Sequence, residues 1–148
     1  MTSPQGPVLV TGATGTVGRH VVRGLLARGV SVRAAVREPG TADLPAGADP
    51  VRLDFEDPAT FGPAFDGVAS TFLMRPPQIA DVKAGILPAL AVARRAGVRH
   101  VAFLSLQGVD RNRVVPHRRI EDDLMRNGPA WTMLRPGFFL QNLIAPHG

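Results

Sequence analysis

The stretch Val8-Leu9-Val10-Thr11-Gly12-Ala13-Thr14-Gly15-Thr16-Val17-Gly18 constrains this chain more than any other. A short apolar run ends in a glycine-rich turn, and a helical pattern starts at once. Strand, glycine turn and helix in that order build a cradle for phosphate. The first amides of a helix have no partner within the helix and carry partial positive charge, so an anion docks there. The three glycines have separable tasks. Gly12 lets the chain turn sharply off the strand, Gly15 lets a diphosphate approach bare backbone, and Gly18 lets the helix lie close to the sheet. The spacing is G-x-x-G-x-x-G. A glycine triplet alone is a weak signal; the strand before it and the helix after it give it meaning.

Around this turn the chain reads as one domain over residues 1–148. Hydrophobic residues make up 45% of it, enough for a packed core. Cysteine is absent, which excludes disulfides, thiolate zinc sites and cysteine nucleophiles and fits a reducing, cytoplasmic setting. The opening residues lack the pattern of a secretory signal. The longest nearly apolar run, 84–93, is too short to span a bilayer and contains Pro88, so no membrane partner is expected. The net charge of +5 is carried by arginine, with Lys83 the only lysine. The arginines are scattered, and seven Phe and one Trp offer few stacking platforms, so nucleic acid is not expected as a partner. The four histidines are too dispersed for a metal set.

Apolar periodicity predicts strands at 8–10, 30–36, 51–55, 68–74, 100–106 and 130–134. Between them it predicts a helix after the glycines, a short helix carrying Phe61 and Phe65 behind an Asp57-Pro58 cap, a long helix over 78–96 kinked at Pro88, and a helix over 116–127. Strands alternating with helices imply an α/β fold: a doubly wound, Rossmann-like parallel sheet of six strands with helices on both faces. Ligands of such sheets lie at the carboxyl ends of the strands.

Candidate residues were therefore sought at those ends. Arg37 ends the second strand, 19 residues after Gly18. An acid there suits the ribose 2′-hydroxyl of NAD, whereas an arginine suits the 2′-phosphate of NADP. The neighbouring Glu38 pairs with Arg37 or faces the ribose itself. NADP is favoured over NAD. Asp54 either accepts from an adenine amine, with Phe55 against the ring, or caps local backbone. Leu73, Met74 and Arg75 end the fourth strand and flank the middle of the cofactor, or simply lead into the Pro76-Pro77 turn. Ser105 and Gln107 end the fifth strand. His117 opens the next helix with Glu121 one turn on along the same face, either as a functional pair or as a helix start.

Several segments together resemble the NmrA-like branch of atypical short-chain dehydrogenases/reductases. They are Thr11 to Gly18, Val36-Arg37, Ala96-Gly97-Val98, Leu104-Ser105 and Trp131-Thr132-Met133-Leu134-Arg135-Pro136-Gly137-Phe138. The glycine motif is widely shared; the Leu-Arg-Pro-Gly-Phe run after a Thr-containing strand is more specific. The resemblance implies an NADP-type dinucleotide across the strand ends. Thr11, Gly12, Ala13, Thr14, Gly15, Thr16, Val17 and Gly18 would hold the diphosphate and Arg37 the 2′-phosphate. Met74 and Ser105 would border the nicotinamide, His117 would approach its ribose, and Pro136 and Phe138 would line that end. The chain has no tyrosine, so the Tyr-x-x-x-Lys acid of most short-chain dehydrogenases is absent. Members of this branch are also about twice as long, which implies that a substrate-covering C-terminal part lies outside this sequence.

Two functions compete. One is an NADPH-dependent reductase acting on a quinone-like or similar small acceptor, with Ser105 and His117 as its catalytic residues. The other is a non-catalytic domain that senses redox state by binding NAD(P). Phe138, Phe139, Leu140, Leu143 and Ile144 near open strand ends further suggest a homodimer.

Overall fold

The computed structural model describes residues 5–136. Six parallel strands form one sheet among these residues: β1 (Val8–Val10), β2 (Val32–Val36), β3 (Asp49–Arg52), β4 (Ser70–Met74), β5 (His100–Leu104) and β6 (Ala130–Leu134). Their spatial order is β3-β2-β1-β4-β5-β6. The chain runs outward from β1 to β3, then crosses back to β4 and runs outward the other way. The reversal between β1 and β4 leaves a crevice at the carboxyl edge, beside the glycine turn.

The pleat divides the core in two. Leu9, Leu73, Val101 and Phe103 face one side. There they meet Phe61 and Phe65 of α2 (Phe61–Phe65), Ile86 and Leu90 of α3 (Ile86–Ala96), and Ile120 and Leu124 of α4 (Pro116–Asn127). Val10, Ala34, Val36 and Phe72 face the other side and pack on Val22 of α1 (Thr16–Ala27). Helices therefore cover both faces. On the α1 face, cover ends near β4: Leu104 is half-buried, and Leu106 and Leu134 are exposed.

Two expected elements are corrected. The third strand is Asp49–Arg52, not 51–55. Leu53 adds one more bond to Val36 (2.9 Å), but Asp54 turns the chain by accepting from the Glu56 amide at 2.9 Å. The long helix over 78–96 is only α3, Ile86–Ala96. Ahead of it, Asp81 accepts from the amides of Lys83 (3.1 Å) and Ala84 (3.3 Å), which holds a non-helical turn. Gly85 then lies so close to Phe55 that a Cβ would sit 2.8 Å from the Phe55 carbonyl oxygen. Pro88 consequently falls in the first turn of α3, where its missing N–H costs nothing, and it does not kink the helix. The Asp57 cap is present: its carboxylate accepts from the Ala59 amide at 3.2 Å, opening a 3-10 turn at Pro58–Thr60.

Candidate dinucleotide site

The glycine turn is fixed to the sheet from behind. Thr11 is 2% exposed. Its hydroxyl donates to the Phe72 carbonyl (3.2 Å) and accepts from the Met74 amide (2.8 Å), which ties the end of β1 to the end of β4. Gly12 then takes φ +60°, a conformation that L side chains rarely adopt. A Cβ on Gly18 would lie 2.0 Å from the Gly12 carbonyl oxygen and 3.1 Å from the Ala13 Cα. The close approach that Gly18 permits is thus between helix and turn, not between helix and sheet as the glycine spacing implies. Gly15 caps α1 in an extended conformation, and no side chain caps the helix start. The first amides of α1 remain available to an outside acceptor.

In front of this turn lies a pocket of about 250 Å³. It is lined by Thr11, Gly12, Thr14 and Gly15 of the turn, Arg37 after β2, Asp54 and Phe55 after β3, and Met74 of β4. These come from four separate sequence segments that the fold brings together. Ala13 is buried beneath the turn, Leu73 is buried in the core, and Thr16, Val17 and Gly18 belong to the helix start. Ala35, Val36, Leu53, Glu56 and the turn Pro76-Pro77-Gln78-Ile79 complete the lining. Sequence reading missed them; the Pro-Pro pair closing β4 was the available signal. Arg37 is exposed, and among the described residues it has no ion-pair partner. Glu38 does not neutralise it; that carboxylate accepts from Thr41 Oγ1 at 3.5 Å. One oxygen of Asp54 is occupied by the backbone cap.

A second group of polar residues gathers beyond β4 and β5. Ser105 continues β5, and its amide donates to the Leu134 carbonyl at 2.7 Å. His117, in the first turn of α4, stacks on Phe103 with ring centroids 5.8 Å apart. Ser105 is 2% and His117 9% exposed. Among the described residues, Ser105 Oγ and His117 Nδ1 have no hydrogen-bond partner. Burial first, and then the positive charge of Arg75, hold the His117 pKa below its ordinary 6.5, while the Glu121 carboxylate pulls the other way. His117 is therefore a neutral imidazole at pH 7, with one N–H and one lone pair. Arg75 braces the pocket turn, its Nη1 donating to the carbonyls of Ile79 (2.6 Å), Pro76 (3.2 Å) and Pro77 (3.3 Å). Pro136 is half-buried, and its carbonyl accepts from the Gln107 amide at 3.2 Å. Phe138 and the apolar residues invoked for a dimer lie outside the described residues.

A family model described as NAD(P)H-binding matches residues 12–145. The chain belongs to the NAD(P)H-binding family. Among curated relatives, this NAD(P)H-binding domain is 35% identical to "Uncharacterized oxidoreductase YesF" of Bacillus subtilis, with 95% of the chain aligned to 47% of that protein. It is 33% identical to the "NAD(P)H azoreductase" of Xenophilus azovorans, covering 93% and 50%. Among solved structures it resembles the NADPH-dependent quinone oxidoreductase of Escherichia coli complexed with NADPH. The TM-score is 0.77 at 26% identity, over 93% of this chain and 51% of that one. The NAD(P)H-binding domain therefore spans about half the length of the relatives it matches. Their reductase character agrees with the resemblance read from the glycine turn and the Leu-Arg-Pro-Gly segment. Among the described residues, no helix is long and apolar enough to cross a membrane.

Proposed function

We propose that this chain forms the cofactor domain of an NADPH-dependent reductase acting on a quinone-like small acceptor. The observation that carries the reading is the pocket at the β1–β4 reversal, where the glycine turn that leads into the uncapped start of α1 and an arginine without an ion pair among the described residues line one cavity. The amides of Thr16 to Gly18 would receive the diphosphate, and Gly18, with no side chain, lets the helix start sit against the glycine turn. Arg37 would take the 2′-phosphate as a bidentate partner, which favours NADP over NAD. Asp54 and Phe55 would border the adenine. Met74 lines the crevice, and Ser105 and His117, beyond β4 and β5, would form its far end.

The dinucleotide, when bound, supplies the hydride. The protein orients the acceptor and manages protons. Ser105 Oγ and His117 Nδ1 are buried polar atoms without partners, a condition that costs roughly 1–3 kcal/mol per group and that an acceptor oxygen would relieve. Neutral His117 can hold a proton at that oxygen, or pass one on through the Ser105 hydroxyl. The names of the azoreductase and the quinone oxidoreductase support aromatic acceptors.

The test is titration of the full chain with NADPH and NADH, followed by NADPH oxidation with 1,4-naphthoquinone on the same sample. Tighter binding of NADPH with turnover supports the reductase. Binding without turnover favours a redox-sensing role. Equal affinities for the two nucleotides, unchanged in Arg37→Ala, refute the assignment of Arg37.

A further inference from the structure

Arg75 carries a charge that no ion pair among the described residues balances. Its position is fixed by register. Met74 pairs with Leu104 across β4 and β5, so Arg75 and Ser105 are the next residues on their respective strands. By pleat alternation both fall on the face of Leu73 and Phe103, and Phe103 is the residue on which His117 stacks. One nitrogen of Arg75, Nη1, is spent on three backbone carbonyls. Its Nε is buried and has no hydrogen-bond partner among the described residues, as is true of Ser105 Oγ and His117 Nδ1. Carbonyl oxygens orient a guanidinium but do not neutralise it.

The Glu121 carboxylate, which acts on His117 as Arg75 does, is committed elsewhere: both its oxygens accept from Arg135, at 2.9 and 2.7 Å. Among the described residues Arg75 forms no ion pair. A partly buried cation lacking both a counter-charge and an acceptor for Nε favours a ligand that supplies them.

We propose that Arg75 makes the acceptor end of the site selective for small aromatic ligands bearing a fixed oxyanion, such as a sulfonate, carboxylate or phosphate, beside the group that Ser105 and His117 hold. This rests on the reading of Ser105 and His117 as the acceptor end. Arg75 is a specificity-determining residue, and the reduction needs no step from it. A charge-assisted hydrogen bond in a partly shielded site corresponds to a preference of roughly 10- to 100-fold for the charged ligand.

The test uses two redox-inert ligands of matched shape, naphthalene-2-sulfonate and naphthalene-2-sulfonamide. Each is titrated by calorimetry into the full chain saturated with NADP, so that the diphosphate cradle is already filled. The sulfonate is expected to bind at least about tenfold tighter than the sulfonamide. Arg75→Met should bring the two within about threefold, and Arg75→Lys, which keeps the charge, should restore part of the gap. Equal affinities in the unmodified chain overturn the proposal without reference to any variant. A gap that survives in folded Arg75→Met overturns it as well. Failure of NADP to bind at the outset instead defeats the cofactor reading, which separates the two ideas.

Discussion

The carboxylate of Glu121, 1% exposed, accepts two parallel hydrogen bonds from Arg135, from Nε at 2.9 Å and from Nη2 at 2.7 Å. Arg135 lies just past β6, and Glu121 lies one turn beyond His117 on α4. The pair clamps the helix that carries His117 to the strand extension that pairs with Ser105, since Leu134 accepts from the Ser105 amide. Donating to Glu121 raises the Arg135 pKa, so the guanidinium stays charged throughout the neutral range.

Breaking one side of this clamp strands a buried carboxylate. Arg135→Met should lower stability by about 2–3 kcal/mol, near the low end for buried pairs because Arg135 itself is partly exposed. Thermal melting should fall by roughly 5–10 °C. The double variant Glu121→Leu/Arg135→Met should recover most of that loss, because no unpaired charge remains. A double variant no more stable than the single one contradicts the assignment of the cost to Glu121.

Two glycines on α1 should respond oppositely to alanine. At Gly18 a Cβ would meet the Gly12 carbonyl oxygen at 2.0 Å, whereas at Gly24 nothing lies within 4 Å. Gly18→Ala should cost more than about 2 kcal/mol and weaken NADPH binding at least tenfold. Gly24→Ala should stabilise the chain by about 0.5–1 kcal/mol through helix propensity, with binding unchanged. Urea denaturation and nucleotide titration of both variants check this.

Thr11 anchors the turn through its hydroxyl, not through its methyl group. Thr11→Val keeps the shape but leaves the Met74 amide, now paired at 2.8 Å, without that acceptor. The expected loss is about 1–3 kcal/mol, with Thr11→Ser close to the unmodified chain. Chemical denaturation of the pair of variants decides whether the hydroxyl matters.

Acid should act through His117. Its folded pKa lies below 6.5, so the unfolded chain takes up this proton first as pH falls. The stabilisation from keeping His117 neutral is complete above pH 6.5 and is lost as pH drops through the folded value. His117→Phe keeps a ring against Phe103 and should flatten the stability profile just below pH 6.5. In Arg75→Met the His117 pKa, followed by NMR, should rise, because one cause of its depression is gone.

The fold was legible because its signals are local. Alternating Val, Leu and Phe marked the strands, and the glycine turn marked where strand gives way to helix. The third strand was misplaced because Val51, Leu53 and Phe55 alternate whether or not they pair; the Asp54 side chain, bonding to the Glu56 amide, ends the ladder. The over-long helix arose because apolar residues continue periodically from Ile79, whereas Asp81 and the Gly85–Phe55 contact set the true start. The turn, Arg37, Asp54 and Met74 could be named in advance, since position after a strand is enough to bring them to the carboxyl edge. Gln78 and Ile79 could not, because they enter the pocket only through a turn that Arg75 holds from its side chain. The Glu121–Arg135 clamp joins residues 14 apart on different elements, a distance no periodicity reports.

The most direct test of the central claim follows individual amides while NADPH is added to the isotopically labelled full chain. Saturable shifts, largest at the amides of Gly12, Gly15, Thr16, Val17 and Gly18 and accompanied by shifts at Arg37, are expected. No saturable shift at the glycine turn, or shifts confined to residues far from it, would contradict the claim that bare amides at the start of α1 hold the diphosphate.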